Sequence, residues 1–393
     1  YTAEVDGDGT VAAVPPVSFT GSVSAMAVLA PSGSAASTGG VSFTHEITVD
    51  PNRTNGEPDL AINSTGQQMY TSGPWGFTTT VSMAWKTEDG GVQWDQLHGD
   101  CPTNPLRPFC SRGGGDSEVQ WGTAGSNGIA GQPTYYVDLN SLDTLTCAIS
   151  PDGGDNFNVT GGDTTPSNPV GPQGQACNVV ANNSQQAPGS DRQWLAVWPP
   201  ANNGTNHDDL FMTYDTGDSP PGGDDAMMSL DGGNSWDNAC HSFTTVPPST
   251  TSCVGGPNAF GARPGPLVIN PTAVNTVTTT LGNSWPTLYE FMGTNSTGPE
   301  VNISCDGGQT WSNELIAPKM PDDSNTPGGL SITNDFIVGA IDTHGRLYTA
   351  WAQQASNSTG QWQVFYSYST DTTGTQRVGN CSIPVQGATW HTN

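Results

Sequence analysis

Ser304-Cys305-Asp306-Gly307-Gly308-Gln309-Thr310-Trp311 sets a hydroxyl, a carboxylate two residues on, a Gly-Gly pair and a closing aromatic in one short stretch. The same order recurs at Thr87-Glu-Asp89-Gly-Gly91-Val-Gln-Trp94, Ser150-Pro-Asp152-Gly-Gly154-Asp-Asn-Phe157 and Ser229-Leu-Asp231-Gly-Gly233-Asn-Ser-Trp236, with a degraded copy at Ser369-Thr-Asp371-Thr-Thr-Gly374. An aspartate that accepts N–H groups of its own turn, glycines free to take positive φ and an aromatic cover make a tight hairpin connection. The aspartates at 89, 152, 231, 306 and 371 lie 63, 79, 75 and 65 residues apart. That spacing holds four short strands with generous loops, which suits a propeller blade and exceeds a typical solenoid repeat.

A weaker repeat precedes each copy: Glu57-Pro-Asp-Leu-Ala-Ile-Asn63, Asp116-Ser-Glu-Val-Gln-Trp121, Asp191-Arg-Gln-Trp-Leu-Ala-Val197, Pro264-Gly-Pro-Leu-Val-Ile-Asn270 and Asn334-Asp-Phe-Ile-Val-Gly-Ala340. Each reads as a short, largely buried strand. In four units a second strand follows around Tyr70, Phe211, Tyr289 or Tyr348. The unit therefore runs strand, strand, strand, turn, strand. An apolar content of 33% with 50 Gly and 31 Pro also favours many brief strands over helices. The fold class expected is all-β, a propeller of four-stranded blades.

Residues 57 to about 375 resemble the Asp-box (BNR) repeat proteins with a sialidase-like propeller, and the Glu57-Pro-x-Leu-Ala and Asp191-Arg-x-Trp-Leu-Ala-Val phrases look like secreted members of that group. The resemblance implies that the box joins the third and fourth strands of a blade, away from the ligand site, so that Asp89, Asp152, Asp231 and Asp306 are structural. Five box-bearing units occupy 57–393 and leave 1–56 without a box. Segments 17–30 and 41–50 of that part read as strands. They are expected to give a sixth blade or to close the ring by pairing near 381–390, since closure removes exposed edges. The alternative is an incomplete ring completed by a neighbouring molecule.

Nine Lys and Arg face 36 Asp and Glu, for a formal charge of -27. This opposes binding to nucleic acid or anionic membranes. Eight cysteines without a CxxC pair read as disulfides formed in an oxidising compartment. Neighbour pairing gives Cys101–Cys110, Cys147–Cys177, Cys240–Cys253 and Cys305–Cys381. Nine N-x-[ST] sequons, at Asn52, Asn63, Asn158, Asn182, Asn203, Asn295, Asn302, Asn357 and Asn380, are candidate glycosylation sites. No apolar run approaches the roughly 20 residues that span a bilayer, and Tyr1 is expected to follow a removed signal peptide. The localisation expected is extracellular or at the cell surface.

In a propeller the first strand of each blade lines the central channel, so the starts of these strands gather around one mouth. Here the mouth would collect Glu57, Asp59, Asp116, Asp191, Arg192, Arg263 and Asp335, a ring able to hold a sugar, a cation or a carboxylate. The same residues can equally cap strands and pair with the two arginines. A sialidase needs three arginines, a Tyr–Glu nucleophile and an acid–base Asp. The Phe/Tyr-Arg-Ile/Leu-Pro phrase for the first arginine is missing, and Tyr289 and Glu290 are adjacent in a strand and point to opposite faces. Histidines show no zinc spacing. No cofactor is called for, although the oxygen-rich turns expected at Asp224-Asp225 and Asp322-Asp323 could take calcium weakly. The reading is a non-catalytic structural, assembly or adhesion module with glycans, surface proteins or copies of itself as partners. The alternative is a secreted, sialidase-like glycoside hydrolase with its site at the channel mouth.

Overall fold

The computed structural model describes residues 49, 59–63, 69–74, 82–97, 113–129, 131–140, 144–155, 157–160, 191–215, 224–240, 263–279, 282, 284–294, 298–317, 337–354, 362–369, 381 and 390–392. The N-terminal strand expected at 17–30, that expected at 41–50 apart from residue 49, the fifth turn at Asp371, and Glu57 and Asp335 lie outside them. So do Cys101, Cys110, Cys177 and Cys253, and the sequons at Asn52, Asn182, Asn295, Asn357 and Asn380.

The described residues form five antiparallel four-stranded sheets, each a plain meander in which neighbours in sequence are neighbours in the sheet. Sheet 1 holds β1 (Asp59–Ile62), β2 (Met69–Pro74), β3 (Ser82–Thr87) and β4 (Asp95–Gln96). Sheet 2 holds β5 (Gly113–Trp121), β6 (Thr134–Asn140), β7 (Thr144–Ser150) and β8 (Asn158–Thr160). Sheet 3 holds β9 (Asp191–Trp198), β10 (Asp209–Asp215), β11 (Asp224–Ser229) and β12 (Asp237–Cys240). Sheet 4 holds β13 (Arg263–Asn275), β14 (Trp285–Thr294), β15 (Gly298–Ser304) and β16 (Ser312–Leu315). Sheet 5 holds β17 (Val338–Ile341), β18 (Leu347–Gln354), β19 (Trp362–Ser369) and β20 (Trp390–Thr392).

Strand side chains alternate between faces, and here both faces find an apolar partner. In β6, Tyr136 packs with Ala61, Ala84 and Leu97 of sheet 1, whereas Tyr135, Val137 and Leu139 pack with Leu195, Leu210 and Met212 of sheet 3. Sheet 3 turns Trp198, Phe211 and Met228 to Leu267, Trp285 and Leu288 of sheet 4. Sheet 4 in turn sets Tyr289, Phe291 and Ile303 against Leu347 and Trp351 of sheet 5. Four cores thus lie in the four gaps between consecutive sheets. The first strands β1, β5, β9, β13 and β17 touch one another in that order. Face-to-face sheets in series with their first strands innermost make a β-propeller. The two outer faces of the series are bare by comparison, with Leu60 and Ile62 exposed on sheet 1 and Val338, Tyr348, Val364 and Tyr366 exposed on sheet 5.

The repeated turn closes β3 to β4, β7 to β8, β11 to β12 and β15 to β16. At the fourth copy Ser304 Oγ accepts the Gly308 N–H at 2.9 Å and donates to Asp306 Oδ1 at 2.9 Å. Asp306 accepts the Thr310 N–H at 2.9 Å. Trp311 Nε1 donates to the Gly308 carbonyl at 2.8 Å. Gly307 and Gly308 stand at φ +74° and +88°, and a Cβ on Gly307 would fall 2.5 Å from the Trp285 ring. The hydroxyl recurs in the same role at Thr87, Ser150 and Ser229, accepting the N–H of Gly91, Gly154 and Gly233. It is therefore as much a part of the device as the aspartate.

Cys305 and Cys381 form a disulfide, joining the turn of sheet 4 to the chain after β19. Cys147 is also disulfide-bonded. Two expectations need correction. Asn302 is fully buried on β15, with Nδ2 on Met292 Sδ and Oδ1 on Asn313 Nδ2, which leaves no room for a glycan on the folded chain. Asp224 and Asp225 open β11 instead of forming a turn, and buried Asp225 accepts the Tyr214 hydroxyl at 3.3 Å.

Asp306→Ala or Asp231→Ala should lower stability by about 1–3 kcal/mol, because turn amides lose their acceptor. Urea-unfolding midpoints of the variants and wild type give the comparison. Reducing Cys305–Cys381, which closes a separation of 76 residues, should lower stability by about 2–4 kcal/mol, read from unfolding midpoints with and without reductant.

Candidate functional site

Strand direction alternates within each sheet, so the starts of the first strands all lie at one end of the molecule. The Gly-Gly turns and the links from first to second strands lie at the other. The mouth residues expected from sequence fall at the first end: Asp59 starts β1, Asp116 sits early in β5, Asp191 and Arg192 start β9 and Arg263 starts β13.

Three consecutive first strands break register at this same end. The pairing shifts between Gly113 and Ser117 on β5, opposite Thr213 to Asp215 on β9, and between Pro264 and Leu267 on β13. On β9, two residues of the bulge oppose Tyr214 alone, and Arg192 takes a left-handed φ of 51°. A non-glycine residue held there is strained, and bulges of this kind re-aim side chains at strand ends. Arg192 Nε lies 3.8 Å from Asp191 Oδ2, and Gln193 Nε2 donates to the Asp116 carbonyl at 2.5 Å. These contacts draw Asp116, Asp191 and Arg192 into one neighbourhood. Asp59 is turned inward instead, accepting the Val119 N–H at 2.9 Å, and burial raises its pKa to about 6.

Two further carboxyls, not anticipated as site residues, lie deeper. Glu118 accepts the Leu195 N–H at 2.6 Å and Gln120 Nε2 at 3.2 Å. Glu290 accepts the Thr213 hydroxyl at 2.6 Å, and its Oε1 is buried without a hydrogen-bond partner. Burial raises both pKa values well above the ordinary carboxylate range, and for Glu118 the charge of Asp59 adds to the effect. The sequence carried a signal for Glu290, the one acidic residue of its strand, whereas Glu118 shares its strand with Asp116 and Gln120 and does not stand out.

At the opposite end, Asp208 knits sheets 2 and 3 together. Its Oδ2 accepts the Tyr135 hydroxyl at 2.7 Å and the Thr123 N–H at 3.0 Å, while its own N–H donates to Ser126 Oγ at 2.9 Å. Burial, and then the charge of Asp208, push the Tyr135 phenol far up, so it remains a donor. Burial also raises Asp209 to about 6, against the pull of His207, whose Nδ1 stands 3.4 Å from Asp209 Oδ1. His207 and Asp208 lead directly into β10, which starts at Asp209.

The chain is thus a β-propeller with a bulged, mixed-charge first-strand end and, at the opposite end, a buried Asp208 that ties sheets 2 and 3 together. No protein-family model matches it, and no curated protein matches its sequence. Solved structures give three distant likenesses. A protein of unknown function from Dyadobacter fermentans has 10% identity and a TM-score of 0.42, covering 88% of this chain and 97% of that one. An α-L-arabinanase from Penicillium chrysogenum complexed with arabinobiose has 10% identity and a TM-score of 0.40, covering 86% and 94%. An α-L-arabinofuranosidase from Fusarium graminearum has 11% identity and a TM-score of 0.34, covering 81% and 94%. Likenesses of this order carry no argument about the site, which rests on its own geometry.

Tyr135→Phe removes the short donor to Asp208 and should lower stability by about 1–3 kcal/mol without changing any activity at the first-strand end. Thermal unfolding of the variant beside wild type checks the first half, and any ligand assay the second.

Proposed function

We propose that the chain is an extracellular or cell-surface β-propeller of the Asp-box, sialidase-like kind, serving as a non-catalytic structural, assembly or adhesion module that takes glycans at its first-strand end. The observation that carries this reading is the run of bulges on β5, β9 and β13. They fall where Asp116, Asp191, Arg192 and Arg263 stand. Carboxylates and guanidinium groups together offer the donors and acceptors that sugar hydroxyls need. The hydroxyl–aspartate–Gly-Gly turns at the far end support the Asp-box assignment. The disulfides support an oxidising compartment. Glycosylation at the half-exposed Asn203 fits the same setting.

The non-catalytic half of the reading is supported by what the inner carboxyls do. Asp59 and Glu118 each accept a backbone N–H of the next sheet, a structural task. The rival reading, a glycoside hydrolase, draws on the buried Glu118 and Glu290, since a glycosidase acid is a carboxyl kept protonated by its surroundings.

A glycan array followed by titration calorimetry separates the two. The expected result is glycan binding weakened at least about tenfold, roughly 1.4 kcal/mol, by Arg192→Ala, with no turnover of a panel of fluorogenic glycosides. Turnover abolished by Asp191→Asn or Glu290→Gln in a variant that still folds would overturn the non-catalytic reading. An array without any binder would overturn the glycan reading.

A further inference from the structure

Three carboxyl groups stand in three consecutive gaps between sheets, and each reaches across. Asp59 of sheet 1 holds the Val119 N–H of sheet 2 at 2.9 Å. Glu118 of sheet 2 holds the Leu195 N–H of sheet 3 at 2.6 Å. Glu290 of sheet 4 holds the Thr213 hydroxyl of sheet 3 at 2.6 Å. All three sit on the first or second strands; Glu118 and Glu290 are buried, and Asp59 is half-buried at the start of β1.

The groups that face them are almost all neutral or acidic. Glu118 feels the charge of Asp59 and, more weakly, that of Glu290. Their remaining polar neighbours are the Gln120 amide, the Thr213 hydroxyl and backbone N–H groups. Among the described residues no Lys, Arg or His pairs with any of the three. Lys86, which crosses the first gap, is held by Asp155 and Glu88 at 2.9 Å each. Arg192 is paired with Asp191, His207 with Asp209 and Arg346 with Asp342. With nine cations in 393 residues, the chain has few others to offer. Fully ionised, this row would hold three like charges with no counter-ion, two of them in a dry interior, an arrangement that buried carboxyls avoid by keeping a proton.

We propose that the gaps between sheets 1 to 4 are proton-loaded: Asp59, Glu118 and Glu290 bridge them as neutral acids, and the sheets loosen along these gaps when rising pH removes the protons. Neutral carboxyls bridge well, because a protonated acid still has a carbonyl oxygen to accept an N–H or O–H. Glu290 also gains a donor on its unpartnered side.

The sign of the effect follows from linkage. Each group binds its proton more tightly folded than unfolded. The stability it contributes is full below the unfolded carboxylate range and is lost as pH rises through the folded value, about 6 for Asp59 and higher for Glu118 and Glu290. Asp209, also raised to about 6 by burial, adds in the same direction. Asp89 and Asp342 oppose it only at the acid end, since turn amides hold their carboxyls below the usual value.

The test is urea unfolding of the full chain at about pH 5 and about pH 8, with Glu118→Gln and Glu290→Gln beside wild type. Wild type should unfold at a clearly lower urea concentration at the higher pH. The glutamine variants, which keep a neutral acceptor, should lose much of that decline and at about pH 8 favour the folded state over wild type by about tenfold for each unit of pKa elevation removed. A wild-type midpoint that is flat or rises between the two pH values overturns the proposal. So does an equal loss for the variants at both. If neither variant folds, infrared difference spectroscopy of wild type decides: a protonated-carboxyl carbonyl band persisting near neutral pH supports the row, and its absence overturns it.

Discussion

A sheet whose two faces are both apolar cannot stand alone in water, and every other feature of this molecule follows from meeting that demand. Alternation along β6 sends Tyr136 to one neighbour and Tyr135 and Val137 to the other. Burial of an aromatic or branched side chain contributes about 1.5–3 kcal/mol, so each added sheet stabilises its predecessor while creating a new face to be covered. The solution is sheets in series, twisted and fanned about their first strands. The tight turns serve this arrangement by returning each fourth strand without bulk, and the Cys305–Cys381 bridge fastens the fourth sheet to the chain beyond the fifth.

Polar groups caught in the gaps had to be reconciled with the same demand. Backbone N–H groups at the innermost strands lie beyond the reach of water, and side chains of the adjoining sheet satisfy them. Asp59, Glu118 and Asp208 do this for Val119, Leu195 and Thr123. Each contact also fixes how far one sheet slides along the next, which greasy packing alone leaves loose. The register breaks at the first-strand end belong to the same economy of space: where the strands converge most tightly, β5, β9 and β13 bulge and turn their polar side chains aside.

Much of the architecture was legible in the sequence because it is written in local chemistry. Ser304-x-Asp306-Gly-Gly308 specifies its own turn from neighbours in the chain, and the phrases before each copy carry the period of a strand. What was less legible depends on neighbours far away in sequence. Glu118 reads as one polar position in a strand, and only the approach of β9, 77 residues on, gives it a role. Asn302 reads as a sequon and is sealed by its own sheet's packing. The hydroxyls of Thr87, Ser150, Ser229 and Ser304 were in plain view, but their double duty as acceptor and donor emerges only when the glycine N–H folds back over them. Asp191 and Arg192 open β9 and Asp116 lies early in β5, positions that the repeated strand phrases made legible. The bulges that aim them are pairing irregularities and have no sequence pattern of their own.

The separation of the interior into gap-by-gap cores has a mechanical consequence. No side chain in the gap between sheets 1 and 2 belongs to the core between sheets 4 and 5, so damage at one place is felt fully by two sheets and only weakly by the rest. Such a molecule behaves like a stack of plates more than a solid ball, its strength set by nearest neighbours as in a repeat array. An interior plate is gripped from both sides and a terminal one from a single side. Among the described residues, sheets 1 and 5, which carry exposed Leu60, Ile62, Val364 and Tyr366, have a packed neighbour sheet on one side only, and local opening is expected to begin with them.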